Sequence, residues 1–160
     1  MNNHFRIGDR DIGRDSLPFI VAEIGINHEG SLAKAKQMIR DAHAAGADCA
    51  KFQIHIVEDE MVGSAKSVIP ANATESIWDI MVRCSLTADE DRELQRYARE
   101  LGVIYLATPF SRAAADQLHA MNVEAYKIGS GECNNYPLIE HIASFGRPII
   151  LSTGMNNLKS

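Results

Sequence analysis

Short apolar runs alternate with stretches of helical periodicity along the chain, and this alternation limits its fold more than any other feature. Apolar runs with the length of buried strands are predicted at residues 19–25, 49–55, 103–110, 125–130 and 148–154. Helical patterns are predicted over residues 31–45, 74–84, 87–101, 111–121 and from Pro137 onward. Strands that are joined through helices pair in parallel with right-handed crossovers, so the sequence predicts an α/β fold with a parallel sheet.

Turn and capping residues mark the boundaries of several elements. Residues 4–13 predict a short β-hairpin that turns at Gly8. Ser31 is the expected N-cap of the first helix, and a capping box opens at Thr87. Residues 56–73 predict a long loop near the mouth of the site, since loops of that length are uncommon unless they are functional or disordered.

Polar residues stand at or near the carboxyl end of every predicted strand. They are Glu23, Lys51, Gln53, Thr108, Lys127, Ser130, Ser152 and Thr153. An open doubly wound sheet concentrates its site at one switch point, whereas a (β/α)8 TIM barrel collects its site from the ends of many strands. The even spread therefore favours the barrel. A barrel needs about 250 residues, so the chain of 160 is expected to be the N-terminal part, with about five strands after the hairpin.

Composition and charge exclude several classes of function. The chain carries 16 basic and 21 acidic residues, and it has no basic tract, which argues against a nucleic-acid partner. No run of about 18 apolar residues predicts a membrane span, and the polar start predicts no signal peptide. The three cysteines lie far apart without metal or redox spacing, which favours a reducing cytoplasm. The histidines likewise form no pattern that predicts a metal site within the chain.

Two lysines stand in otherwise apolar strands and predict an anion site. Lys51 and Lys127 each lie near a strand end, and the hydroxyl groups of Ser130 and Ser152 add donors. Two compact positive charges suit a small anion with two or more charges. Two alternatives stay open: lysines that are merely solvated at a sheet edge, and one lysine that forms a Schiff base with a carbonyl substrate.

Other candidate ligand-binding or catalytic residues are indicated less strongly by the sequence. Glu23 is expected either to pair with a lysine or to act in proton transfer or hydroxyl binding. Thr108 ends a strand where a hydroxyl group can meet a ligand oxygen, or where it forms an ordinary junction. His28 and His55 are expected to be structural or solvated more often than ligand-binding. Asn72 lies in the long loop, where asparagine is common for turn reasons alone.

Five longer sequence words at the strand ends resemble those of the sialic acid synthase family. They are AEIGINHEG at 22–30, KFQIHIVEDEM at 51–61, ATPFSRAAA at 107–115, YKIGSGECNNYPLI at 126–139 and ILSTGM at 150–155. The resemblance covers residues 4–160 and is nearest to bacterial N-acetylneuraminate synthases. Relatives that make legionaminic or pseudaminic acid share much of the pattern, but residues 55–61 and 69–86 look more like the N-acetylneuraminate branch.

The resemblance implies a transferase that condenses phosphoenolpyruvate with N-acetylmannosamine and releases phosphate. It implies a (β/α)8 barrel, a divalent metal (Mn²⁺ or Mg²⁺), and a C-terminal antifreeze-protein-like domain that reaches across a homodimer. The rest of the barrel, that domain and the metal ligands are expected outside these residues, so residues 1–160 are expected to be incomplete alone. A Schiff-base aldolase and an inactive anion-binding half-barrel fragment are the other two readings.

The same resemblance assigns roles to individual positions. The residues implied to hold phosphoenolpyruvate are Lys51, Thr108, Lys127, Ser130 and Ser152. The residues implied to face the amino sugar are Glu23, Gln53, Asn72 and Phe110. Glu23 and Glu132 are the implied catalytic carboxylates.

Overall fold

Strands and helices alternate through residues 4–157, which are the residues that the computed structural model describes. The strands are β1 (Phe5–Ile7), β2 (Arg10–Ile12), β3 (Val21–Gly25), β4 (Cys49–Ile54), β5 (Ile104–Pro109), β6 (Tyr126–Ile128) and β7 (Ile149–Leu151). The α-helices are α1 (Leu32–Ala44), α2 (Val57–Glu60), α3 (Ile77–Cys84), α4 (Ala88–Glu100), α5 (Arg112–Ala120) and α6 (Tyr136–Ala143). Two 3-10 turns span Gly63–Ser67 and Ser130–Glu132. None of the described helices is both long and apolar enough to cross a bilayer.

The strands after the hairpin pair in parallel, as predicted. β3 pairs with β4 and β4 pairs with β5, while β6 pairs with β7 and lies beside β5. In the register of β3, β4 and β5, Glu23 lies beside Lys51, and Gln53 lies beside Thr108. The predicted hairpin is also present, since β1 and β2 pair antiparallel across Gly8. Parallel pairing puts the carboxyl ends of β3 to β7 on one side of the molecule.

Several predicted boundaries were wrong by a few residues. The strands are one to three residues shorter than predicted at most of their ends. α3 begins at Ile77 instead of residue 74, because the Ser76 hydroxyl group accepts a hydrogen bond from the Asp79 amide at 3.1 Å and caps the helix there. Pro137 is the second residue of α6 instead of the first. Residues 1–3, which belong to the polar start that predicts no signal peptide, lie outside the described residues.

The predicted long loop at residues 56–73 contains two short helical segments that the sequence did not predict. They are α2 and the 3-10 turn at Gly63–Ser67. α2 is held at its far end by Asp59, whose carboxylate accepts a hydrogen bond from the Ala113 amide at 3.2 Å. The segment is therefore tied to the first turn of α5 and to the end of β4, from which it leads.

One face of the strands packs against the helices. Alternating residues of β4, β5 and β6 point to this face, and they are Ala50, Phe52, Ile54, Tyr105, Ala107, Tyr126 and Ile128. They meet the apolar stripes of the helices, among them Ile39 of α1, Leu94 of α4 and Leu118 of α5, all of them fully buried. Each such side chain contributes about 1.5–3 kcal/mol by leaving water, so this layer fixes which strand residues face the other way.

The opposite face of the strands, called the inner face below, is apolar at its N-terminal end. Cys49, Leu106 and Ala125 are fully buried there, and Ile7 of the hairpin packs onto them. The hairpin is tied down by an ion pair between Arg10 and Asp48. The N-terminal end of this inner face is therefore closed by the hairpin, and the polar residues two positions further along lie at the other end.

A buried carboxyl group joins α4 to β5 and α5. Asp91 is 4% exposed, and it accepts hydrogen bonds from the Tyr105 hydroxyl group at 3.3 Å and the Gln117 amide at 2.8 Å. Burial is the main cause that raises the pKa of Asp91 from 3.8 to about 7, and the two hydrogen bonds partly oppose it.

Asp91→Asn should remove a pH dependence of stability. Native Asp91 keeps its proton up to about pH 7, whereas the unfolded chain loses it near 3.8, so the native state binds more protons between these values. Relative to Asp91→Asn, the free energy of unfolding of the unmutated chain should therefore fall as pH rises through this window, by up to about 1.4 kcal/mol per pH unit. Urea unfolding at pH 4.5 to 8 measures it. Asp89→Asn, on the exposed side of the same helix, is the matched control, and equal pH profiles for Asp91→Asn and the parent would contradict the assignment.

Candidate active site

The first part of the site joins the ends of β3, β4 and β5. The Lys51 ammonium group lies 2.7 Å from the Glu23 carboxylate and donates to the Thr108 hydroxyl oxygen at 3.4 Å. The Lys51 side chain is only 5% exposed, while that of Glu23 is 61% exposed. An ammonium group so deeply buried needs a counter-charge and acceptors, and Glu23 and Thr108 provide them.

The second part of the site joins the ends of β6 and β7. The Lys127 ammonium group donates to the Ser152 hydroxyl oxygen at 2.6 Å and to the carbonyl oxygen of Ile128 at 3.0 Å. Both acceptors are neutral, so this lysine has no carboxylate among the hydrogen-bond partners described for it. Its charge is therefore available to an anionic ligand.

Strand parity and electrostatics place the two lysines on the same face. Lys51 and Lys127 lie two residues beyond Cys49 and Ala125, which pack together on the inner face, and strand side chains repeat every second residue. The pKa of Lys127 is lowered, first by burial and then by the charge of Lys51, while Glu23 opposes the shift. The two lysines therefore share a face, with Thr108 beside Lys51 and Ser152 beside Lys127. Their convergence with Ser130 in one ligand site stays a prediction.

A histidine organises the neighbouring residues on the β4 and β5 ends. His55 is buried, with its Nδ1 atom 2.8 Å from a carboxylate oxygen of Glu60 and its Nε2 atom 3.1 Å from the Gln53 side-chain oxygen. Its ring stacks on Phe110, with 4.5 Å between the ring centroids. A hypothetical side chain on Gly129 would approach both Thr108 and Phe110, so this group adjoins the end of β6.

Three predicted site residues have other surroundings. Asn72 is exposed and lines a separate cavity of about 500 Å³ with Thr74 and Arg83. Glu132 accepts a hydrogen bond from the Asn135 side chain at 2.7 Å, next to the start of α6. Ser130 opens the 3-10 turn after β6, and its carbonyl oxygen accepts from Asn156 at 2.8 Å. Their roles toward ligands stay predictions.

The sequence predicted a structural role for His55 but did not indicate Glu60 as its partner. Glu60 lies five residues after His55, in a segment that was expected to be a loop, and only the short helix α2 brings it back to the imidazole ring. The word KFQIHIVEDE contains both residues, but no period or spacing rule marks them as partners. His28, by contrast, is fully buried, and it stabilises the β3–α1 loop by accepting a hydrogen bond from the Gly30 amide at 3.2 Å.

The described residues offer no donor set for a metal ion. Within residues 4–157, no three His, Cys, Asp or Glu side chains lie close enough together to hold one. Cys49 is no substitute, because burial raises the pKa of its thiol to about 12 and keeps it protonated. The cluster at the strand ends is therefore cationic and hydroxylic, which suits phosphate and carboxylate groups.

A second cavity lies at the opposite end of the strands. It has a volume of about 360 Å³ and is lined by residues of the hairpin turn, α4 and β5, among them Gly8, Arg99 and Tyr105, and by Glu124, which precedes β6. Ligands of parallel α/β sheets bind at the carboxyl ends of the strands, and this cavity lies at the amino end of β5. The lysine cluster is therefore the better candidate for an active site.

Comparison with known proteins places the chain among sugar acid synthases. Human N-acetylneuraminate-9-phosphate synthase is 39% identical over 154 residues, in a match that covers 93% of this chain and 42% of that protein. The N,N'-diacetyllegionaminic acid synthase of Legionella pneumophila is 32% identical over 158 residues, covering 95% of this chain and 44% of that protein. The crystal structure of the N-acetylneuraminic acid (sialic acid) synthetase of Leptospira borgpetersenii superposes with a TM-score of 0.86 at 28% identity, covering 98% of this chain and 51% of that chain.

The family model described as the NeuB family matches residues 38–160. The chain therefore belongs to the NeuB family, which confirms the resemblance seen in its sequence. It spans less than half the length of the curated relatives named above.

The charges around Lys127 can be tested one at a time. Glu23→Gln should lower the pKa of Lys127 further, because the carboxylate that favours its charged form is lost. Lys51→Met should raise it, because a repelling charge is lost. NMR titration of the lysine side-chain signals measures both changes, with Thr108→Val as the uncharged control. Shifts of the same sign in the two charge variants would contradict the convergence of these groups.

Proposed function

We propose that the protein that contains this chain condenses phosphoenolpyruvate with N-acetylmannosamine to form N-acetylneuraminate and inorganic phosphate. The observation that carries the proposal is the pair of lysines at the strand ends, Lys51 and Lys127, on one face of a NeuB-family chain. The names of the human and Leptospira relatives support the product class.

Phosphoenolpyruvate carries a phosphate and a carboxylate on a three-carbon frame, and the cluster offers complementary groups. In the proposed complex, Lys127 turns from its neutral acceptors toward one anionic group, and Lys51 contacts the other. The Thr108 and Ser152 hydroxyl groups donate to the remaining oxygens, with Ser130 next to them along the chain. Burial and, second to it, the charge of Lys51 lower the pKa of Lys127, and an anion between the two ammonium groups offsets both effects.

The proposed reaction forms one carbon–carbon bond and replaces the carbon–oxygen bond to phosphate by one to water. Carbon 3 of phosphoenolpyruvate attacks the aldehyde carbon of the open-chain sugar, and the aldehyde oxygen takes up a proton. Water adds to carbon 2 with loss of a proton, and phosphate then leaves from that carbon. The two lysines neutralise the phosphate and carboxylate throughout. Glu23 is exposed and lies 2.7 Å from Lys51, and it is proposed to accept a proton from the water or from a sugar hydroxyl group.

The sugar is proposed to lie over Gln53 and Phe110. Asn72 can reach the sugar only if the turn that carries Asn72 moves. Glu132 is proposed as the second catalytic carboxylate, once it exchanges its hydrogen bond with Asn135 for one with substrate. The described strands are proposed to be the N-terminal part of a (β/α)8 barrel in a cytoplasmic homodimer with a C-terminal antifreeze-like domain. Mn²⁺ or Mg²⁺ would polarise the aldehyde when bound, but residues 4–157 supply no ligand cluster for it, and no step above depends on it.

Lys51→Met and Lys127→Met should each lower kcat/KM for phosphoenolpyruvate about 10- to 100-fold in the full-length protein, since each removes a charge-assisted hydrogen bond to an anion. Lys36→Met removes a lysine from the helix surface and should leave kcat/KM unchanged. Formation of N-acetylneuraminate and release of phosphate are measured with Mn²⁺ present. Unchanged kinetics in both site variants would contradict the proposed anion site.

Two other outcomes would redirect the assignment. Activity on a 2,4-diacetamido hexose, but not on N-acetylmannosamine, would place the protein with the legionaminic or pseudaminic acid synthases, as the Legionella relative suggests. A lowered lysine pKa also suits a Schiff base, so borohydride trapping with pyruvate is the second check. Covalent labelling of Lys127 would replace the condensing mechanism with an aldolase mechanism.

A further inference from the structure

We propose that His55 is a positioning residue, and that it acts through Gln53 to determine which side of the Gln53 amide faces the amino sugar. This inference rests on the proposed function, in which Gln53 contacts the sugar. The elements involved are the end of β4, which carries Gln53 and His55, and the short helix α2, which carries Glu60.

The two ring nitrogens of His55 have different partners. The Nδ1 atom lies 2.8 Å from a carboxylate oxygen of Glu60, and the Nε2 atom lies 3.1 Å from the Gln53 side-chain oxygen. Carboxylate and amide oxygens accept hydrogen bonds, so in the proposed arrangement both ring nitrogens donate.

The same geometry turns the amide NH₂ group of Gln53 away from His55. Gly25, at the end of β3, has no side chain there, and a hypothetical Cβ atom on it would lie 3.9 Å from the Gln53 amide nitrogen. The NH₂ group therefore faces the β3 side, next to this glycine. A sugar bound over the strand ends would meet two N–H donors, which select an acceptor such as a hydroxyl or N-acetyl oxygen.

His55 itself is enclosed and does not offer its ring to a ligand. Its side chain is 4% exposed and that of Glu60 is 12% exposed. Phe110 stacks on the ring, and the Ser85 hydroxyl group donates to the His55 carbonyl oxygen at 3.1 Å. Since two residues proposed to face the sugar, Gln53 and Phe110, both pack on this ring, any effect of His55 on sugar binding passes through them.

Steady-state kinetics of the full-length protein separate this role from a purely structural one. His55→Phe keeps an aromatic ring beside Phe110 but loses both hydrogen bonds, and KM for N-acetylmannosamine should rise about tenfold while KM for phosphoenolpyruvate stays unchanged. His55→Gln can still donate to the Gln53 oxygen and should recover most of the loss. In a Gln53→Ala background, His55→Phe should add less than about twofold, because the hydrogen-bond route through Gln53 is already gone and the aromatic contact with Phe110 is kept. 

His141→Phe is the matched control. His141 also pairs with a carboxylate, Asp116 at 2.7 Å, and contacts a phenylalanine ring, but it lies on α6. That variant should leave both KM values unchanged. Equal rises in both KM values for His55→Phe, or a full additional effect in the Gln53→Ala background, would overturn the positioning role.

Nitrogen NMR of the His55 ring determines the orientation of the Gln53 amide without an activity assay. Signals of two protonated ring nitrogens support the donor orientation of Gln53. A lone-pair signal from Nε2 would overturn it, since Gln53 would then donate to the ring and present its carbonyl oxygen to the site. If the full-length protein accepts no amino sugar as a substrate, the proposed function fails. The NMR result still decides whether the His55 ring holds the Gln53 amide in the described orientation.

Discussion

Burial of the Lys51 ammonium group is the constraint on which the rest of the site depends. Taking a charge out of water into a protein interior costs several kcal/mol unless partners replace the lost hydration. Here Glu23 lies at 2.7 Å and Thr108 at 3.4 Å, each on a neighbouring strand. The order β3–β4–β5 and its register are therefore requirements of the chemistry as well as of the fold, because a shift of one residue would turn one of these partners to the other face.

The inner face of the sheet divides into two layers as a consequence. Near the hairpin it is apolar, with Cys49, Leu106 and Ala125 under Ile7, and two residues further along it carries Lys51, Thr108 and Lys127. The apolar layer excludes water from below, which strengthens the electrostatic effects above it. Lys127 then differs from Lys51 in a useful way, since its hydrogen-bond acceptors are neutral and an anion can replace them without breaking an ion pair.

Sequence reasoning predicted the parts that depend on local periodicity. The parallel strands, the capping box at Thr87 and the shared face of the two lysines all follow from patterns of two or a few residues. It failed where long-range packing decides. The helix α2 forms within the expected loop because Asp59 reaches α5, and Glu60 meets His55 only as a result. The exposed position of Asn72 could not be predicted either, since it depends on how the turn before α3 packs.

The site as proposed depends on the two lysines at the strand ends binding one small anion, with its phosphate and its carboxylate, between them. A crystal structure of the full-length protein with phosphoenolpyruvate tests this most directly. We expect phosphate and carboxylate oxygens within hydrogen-bond distance of Lys51 and Lys127, with Lys127 released from the Ile128 carbonyl oxygen. A ligand in the cavity under the hairpin turn, with Lys127 still bound to Ser152 and Ile128, would contradict it.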